Sequence, residues 1–138
     1  MIANHVFVDT NILVYAHDAD AGERHLKAVA LIKSLWDRPY PPAISTQVLQ
    51  ELIATLVKKG ASRAKSREIA QIYYAWEIVP HTAALTQAAI DLWERYKTSW
   101  WDALIIVAAQ TARAVELWSE DLQDGRTFDS VRIVNPLR

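Results

Sequence analysis

The stretch "HVFVDTNILVYAH", residues 5–17, decides the fold. A short β-branched and aromatic run ends at an acid, Asp9. That pattern predicts a buried strand over about residues 5 to 9. "NILVYAH" follows at once as a short helix, with Thr10 or Asn11 near its cap. A strand that stops on a carboxylate and passes straight into a helix opens a β–α alternation.

The alternation continues outward from there. "AGERHLKAVALIKSLW" carries apolar residues at Leu26, Val29, Ala30, Ile32 and Leu35, which predicts a helix buried along that stripe. "RPYPPA" ends it, and "AIS" is a very short strand. "STQVLQELIATLVKKG" predicts a helix capped by Ser45 or Thr46 and closed by Gly60. "SRAKSREIAQIYYAW" is a further helix opening at Ser62. "EIVP" is a strand stopped by Pro80, and "TAALTQAAIDLWERYK" is an amphipathic helix. "SWWDALIIVAAQ", residues 99–110, is apolar all round after its Ser99 cap, which predicts a central buried helix. "VELWS" and "VRIVNP" are strands, with "EDLQDGRTF" as the loop between them.

Short apolar strands joined by helices favour a parallel sheet covered on both faces. The expectation is one α/β domain over residues 1–138, three-layered α/β/α, with a parallel sheet of about four to five strands. Apolar residues are 51% of the 138, enough for a core without staples. There is no cysteine, which excludes disulfides, thiolate metal sites and a Cys nucleophile. Fifteen Lys and Arg nearly balance 16 Asp and Glu, so net charge neither demands nor excludes a polyanionic partner. Three glycines leave no room for a G-x-G-x-x-G or Walker A loop. The N-terminus lacks a basic n-region and no apolar run reaches membrane-spanning length, so a cytoplasmic protein without a membrane span is expected.

Ligands of such sheets bind beyond the carboxyl ends of the strands. Asp9 ends the first strand there, and Asp121 lies just past the strand that ends near Trp118. Glu51 sits in the first half of the helix after "AIS", among small and apolar neighbours. Asp102 heads the apolar helix. Taken alone, Asp102 is a helix cap, the last position of a Ser-x-x-Asp pattern near a favourable dipole. Four carboxylates gathered in a low-dielectric cleft demand either raised pKa values or a cation. Oxygen donors without sulfur suit Mg²⁺ or Mn²⁺, and such an ion suits phosphodiester hydrolysis.

"VFVDTNILVYA", "STQVLQEL", "SWWDALIIVAA" and "LWSEDLQDG", in this order and spacing, resemble the PIN-domain proteins. The likeness is greatest to the VapC-like toxins of bacterial type II toxin–antitoxin pairs. The resemblance covers essentially the whole chain and implies a metal-dependent endoribonuclease. It places the family's acidic quartet on Asp9, Glu51, Asp102 and Asp121, with Asn11 and Ser119 as polar supports. It implies attack of metal-bound water on phosphorus, leaving a 5′-phosphate and a 3′-hydroxyl. It also implies an RNA substrate, a homodimer, and a cognate antitoxin whose tail brings an Arg to the acids. Within the fourth block, Asp121 fits the family position. Asp124 matches a second family acid but precedes Gly125 where relatives carry an aromatic, so its role stays open. Glu120 and Asp124 otherwise read as solvated loop residues.

The run "KKGASRAKSR" offers Lys58, Lys59 and Arg63 as RNA contacts, against a plain solvated helix junction. Six tryptophans read mostly as packing; Trp101 is expected inside, and Trp100 lies next to the proposed site. The four histidines show no ligand spacing. A haloacid-dehalogenase-like enzyme needs an acid two residues after Asp9, where Asn11 stands. A phospho-acceptor receiver needs paired acids after the first strand. A non-catalytic PIN module is expected to lose an acid, and all four are present. The alternatives are a PIN nuclease of RNA processing without an antitoxin, or a non-catalytic PIN module that binds RNA or protein.

Overall fold

The computed structural model describes residues 4–138. Six strands and six helices alternate among them: β1 (Val6–Val8), α1 (Thr10–Ala16), α2 (Glu23–Trp36), β2 (Ala43–Ser45), α3 (Thr46–Lys58), α4 (Arg63–Ile72), β3 (Glu77–Val79), α5 (Ala83–Tyr96), α6 (Trp100–Thr111), β4 (Glu116–Trp118), β5 (Thr127–Phe128) and β6 (Val131–Val134). The sheet order is β3-β2-β1-β4-β6-β5. The first five in that order run parallel. The α/β class and the five parallel strands are as expected. The sixth strand, β5, is two residues long and antiparallel to β6, in a segment expected to be loop. Two residues are too few to show an alternation in sequence; the pairing of Phe128 with Val131 makes the strand.

Helix starts follow the sequence closely. The hydroxyls of Ser45, Ser62, Thr82 and Ser99 each accept the backbone N–H three residues on. Gly60 follows the end of α3 at φ +100°, a conformation that a side chain would strain. The first helix differs from expectation. Neither Thr10 nor Asn11 caps it; Asp9 does, its Oδ1 accepting the Thr10 N–H at 2.7 Å. The chain passes from strand to helix with no linker, so the last residue at the strand end is also the cap.

The helices form two packed groups. The apolar α6 lies against β2, β4 and β6, with α5 beside it. Residues Ala103–Ala109 of α6 are all buried. On α1 pack α2 and α3, and α4 packs on α3. In α2 the buried residues are Ala28, Ile32 and Leu35. Leu26 and Val29, expected on the buried stripe, are exposed, Leu26 by 69%. Nine residues separate Leu26 from Leu35, half a revolution out of phase at 3.6 residues per turn. The two cannot face one core, and the small Ala28 is on the side that faces inward. No helix of the described residues is long and apolar enough to cross a membrane.

Register places the site. Val8 pairs with Trp118 across β1 and β4, and the Asp9 N–H continues the ladder to the Trp118 carbonyl at 2.9 Å. Ser45 pairs with Val79, and Trp118 with Val134. The carboxyl ends of β1, β2, β3, β4 and β6 therefore share one edge, and Asp9 and Ser119 stand side by side at its centre.

Candidate active site

Asp9 is buried at this edge. Its Oδ1 is taken by the Thr10 N–H. Its Oδ2 accepts the Ser119 hydroxyl at 2.8 Å and a longer bond from Asn11 Nδ2 at 3.4 Å. Burial raises the Asp9 carboxyl from its ordinary value near 3.8 to about 6, against the opposing pull of the Ser119 and Thr10 bonds. The charges of Glu51 and Asp121 push in the same direction as burial. Asp9 thus feels two of the other three acids marked in the sequence.

Asn11 and Ser119 both hydrogen-bond to the acids. Asn11 Nδ2 donates to Asp121 Oδ2 at 3.0 Å and to Ser119 Oγ at 3.3 Å. Its Oδ1 accepts the Glu120 N–H at 3.1 Å. Ser119 Oγ accepts the Asp121 N–H at 3.1 Å. The turn after β4 is thereby tied to the first turn of α1, and Asp121 is held at the edge beside Asp9. Glu51 lies on α3, its Oε1 accepting Thr10 Oγ1 and Gln47 Nε2, both at 3.2 Å. It is exposed rather than inward-facing, and its neighbours Thr10 and Gln47 are polar.

Two small cavities meet at Asp121. One, of about 310 Å³, is lined by Thr10, Asn11, Tyr15, Glu51 and Lys59 as well as Asp121. The other, of about 140 Å³, brings Asp102 and Asp121 to one wall with Thr98 and Arg126. Asp102 is half-buried, and its backbone N–H donates to Ser99 Oγ at 3.1 Å. The reciprocal bond of a capping box, from the Ser99 amide to the Asp102 side chain, is absent. Ser99 caps the helix, and the Asp102 carboxylate is left over for the cavity.

The remaining residues separate. Glu120, expected as a solvated loop residue, accepts the Tyr15 hydroxyl at 2.6 Å and Arg24 Nε at 2.7 Å. No spacing in the sequence signals that contact, since its partners lie 105 and 96 residues away. Asp124 turns away from the acids: it accepts the Asn135 N–H at 2.9 Å and pairs with Arg138 at 3.2 Å. The basic run divides as well. Lys59 lines the larger cavity and pairs with Asp18 at 3.2 Å. Arg63 lines an apolar groove between α3 and α4, and Lys58 lines neither. Trp101 is 63% exposed, contrary to expectation, and stands in the first turn of α6, ahead of the buried stretch Ala103–Ala109. Trp100 packs on the core and meets the Trp93 ring edge-on at 6.0 Å. His17 is half-buried and hydrogen-bonded to the Tyr73 hydroxyl at 2.6 Å.

The donor set is all hard oxygen, and its buried member is destabilised as an anion. Both features fit a divalent cation of the Mg²⁺ or Mn²⁺ kind. Among the described residues no three His, Cys, Asp or Glu side chains converge tightly enough to form a closed ion site as they stand.

The family model of the PIN domain matches residues 6–129. No curated protein sequence matches the chain at significant similarity. Several solved structures do. A toxin–antitoxin complex from Klebsiella pneumoniae is 24% identical at a TM-score of 0.70, over 95% of this chain and 97% of that one. VapC20 of Mycobacterium tuberculosis, a toxin that cleaves the sarcin-ricin loop, is 22% identical at a TM-score of 0.70, over 92% and 98%. VapBC2 of Rickettsia felis, solved on a DNA fragment from its promoter, is 21% identical at 0.62, over 93% and 96%. At these identities the likeness is one of fold. The match of the family model over most of the chain shows that this protein belongs to the PIN-domain family.

Proposed function

We propose that the chain is a divalent-metal-dependent endoribonuclease and the toxin of a type II toxin–antitoxin pair. The observation that carries the reading is Asp9, a buried carboxylate at the sheet edge, tied through Asn11 and Ser119 to Asp121 and through Thr10 to Glu51. A fold that gathers acids against their own repulsion is suited to a cation. The similar structures, all toxins or toxin–antitoxin complexes, support the biological setting.

Asp9, Asp102 and Asp121, with Glu51, would hold Mg²⁺ or Mn²⁺. When bound, such an ion polarises a phosphate oxygen and lowers the pKa of water. The chain's own residues do the rest. Ser119 and Asn11 keep Asp9 and Asp121 in one orientation through the bonds already described. Glu51 or Asp102 would orient the attacking water or accept its proton, and Thr10 and Gln47 hold Glu51 in place through Oε1. Water adds to phosphorus as the bond to the 3′-oxygen breaks; that oxygen takes up a proton, giving a 3′-hydroxyl and a 5′-phosphate.

Two apolar surfaces suit the partners of this reading. A groove of about 540 Å³ between α3 and α4 has Ile53, Val57, Ala70 and Tyr74 inside and Arg63 and Arg67 at its edge. It suits an amphipathic antitoxin segment bearing acidic residues. Ile90 and Trp93 of α5 and Trp101 of α6 are exposed apolar residues suited to a second copy of the chain.

The test is induced expression in a bacterial host with RNA cleavage followed in vitro. Wild type arrests growth and cuts RNA only with Mg²⁺ or Mn²⁺, and Asp9→Asn does neither. Cleavage undiminished by EDTA, or by Asp9→Asn, overturns the reading.

A further inference from the structure

A site lined with acids repels the polyanion it is meant to cut. Its wall needs a cation placed for phosphate rather than for the acids themselves. The larger cavity has one among the residues that line it, Lys59. Glu51 and Thr55 of α3 and its C-cap Lys59 follow one another at four-residue spacing and line the same cavity, so they fall on one side of that helix. The carboxylate is in the first half of α3 and the ammonium just past its end, about two turns apart.

The ammonium is tethered there. Asp18, mostly buried, pairs with Lys59 at 3.2 Å, and Asp18 is further engaged by the Asp20 N–H at 3.1 Å. A lysine has three N–H donors, and one ion pair leaves others for a ligand. The neighbouring cations are placed differently. Arg24 is engaged by Glu120, Arg126 lines the smaller cavity and lies over the Tyr96 and Phe128 rings, Arg63 borders the apolar groove, and Lys58 lines neither cavity nor groove.

We propose that Lys59, held by Asp18, is the phosphate-binding residue of the substrate path, contacting an RNA phosphate adjacent to the one cleaved. This rests on the nuclease reading above. Asp18 is a positioning residue: it holds the ammonium over the cavity and touches no substrate. Of the basic run, Lys59 contacts the nucleic acid in the cleft and Lys58 does not.

The experiment is fluorescence anisotropy of a labelled single-stranded RNA of random sequence, with Ca²⁺ as the divalent ion, over a series of salt concentrations. Full-length wild type, Lys59→Ala, Lys59→Arg, Asp18→Asn and Lys58→Ala are compared, each checked for folding by circular dichroism. Loss of one phosphate contact to a single strand flattens the slope of log affinity against log salt by about 0.7. Lys59→Ala is expected to show that flattening and several-fold weaker binding. Lys59→Arg keeps the wild-type slope, and Lys58→Ala leaves slope and affinity unchanged. Asp18→Asn weakens binding less than Lys59→Ala, and adds nothing in the Lys59→Ala background. A wild type that binds RNA with a slope unaltered by Lys59→Ala overturns this proposal alone. A wild type that does not bind RNA overturns the nuclease reading, and this proposal with it.

Discussion

The Ser119 hydroxyl donates to the Asp9 carboxylate at 2.8 Å, across 110 residues of chain, and both groups are buried. The same oxygen accepts the Asp121 amide, so one hydroxyl sets the orientation of two acids. Its bond to Asp9 lowers that carboxyl's pKa against the effect of burial. Ser119→Ala is expected to cost about 1.5–3 kcal/mol of stability, the usual size for a hydrogen bond to a charged group. It also raises the Asp9 pKa further, which moves the acid limb of the cleavage profile to higher pH. A pH–rate profile alongside urea denaturation checks both. A profile that stays in place separates Ser119 from Asp9.

Asp9 gives the metal-free protein a characteristic pH dependence. Its pKa is near 3.8 ordinarily and about 6 in the fold, so between those values the folded state binds more protons than the unfolded. Stability from this group is full below the lower value and falls as pH rises toward 6 and just above. At about 1.4 kcal/mol per pKa unit the loss reaches at most about 3 kcal/mol. Metal-free melting temperature is expected to drop over that window in wild type and to stay flatter in Asp9→Asn. Added Mg²⁺ should raise it more at pH 7 than at pH 5. Thermal scans at stepped pH measure this; a wild-type melting temperature that rises from pH 4 to 6 and matches Asp9→Asn contradicts it.

Asp102 and Ser99 divide two roles that the sequence merges. The cap bond belongs to Ser99, while the Asp102 side chain lines a cavity with Asp121. Ser99→Ala is expected to cost about 1 kcal/mol and to keep cleavage, the usual cost of losing a helix cap. Asp102→Asn is expected to abolish cleavage while changing stability by less than about 1 kcal/mol, the size of a carboxylate's interaction with a helix dipole. The crossed pattern, stability lost in Asp102→Asn and activity lost in Ser99→Ala, would make Asp102 a structural residue.

Glu120 links α1, α2 and the turn that carries Asp121. Burial tends to raise its pKa, but the bonds from Tyr15 and Arg24 outweigh that and hold it below the usual glutamate range. A carboxyl lowered in the fold stabilises above its unfolded pKa, and that stability is lost as pH falls through the folded value. Glu120→Gln is therefore expected to be less stable than wild type at neutral pH and to lose less on acidification. Chemical denaturation at pH 7 and pH 3 provides the comparison; equal losses in the two proteins contradict the assignment.

The edge-of-sheet placement of Asp9 and Asp121 was legible because two strands end on or beside acids, and parallel pairing aligns their carboxyl ends. The burial of α6 was legible because its apolar residues leave no polar face. The inward face of α2 was not. Its apolar residues surround the helix, and only packing against α1 selects Ala28 over Leu26. Trp101 misled because hydrophobicity does not show where along a helix burial begins: the buried stretch of α6 starts only at Ala103, past its first turn. Glu120 and Asp124 look alike in the loop sequence. They part company only because α2 brings Arg24 to one and the end of the chain brings Arg138 to the other.

The most direct measurement is calorimetric titration of the metal-free protein with Mg²⁺ or Mn²⁺, on wild type and Asp102→Asn, with RNA cleavage assayed on the same samples. If the four acids form one catalytic metal site, the wild type binds the ion and cuts RNA, and both are lost or sharply weakened in the variant. Unchanged binding and cleavage in Asp102→Asn would show that this carboxylate lies outside the site, and that the acids at the sheet edge do not work as a unit.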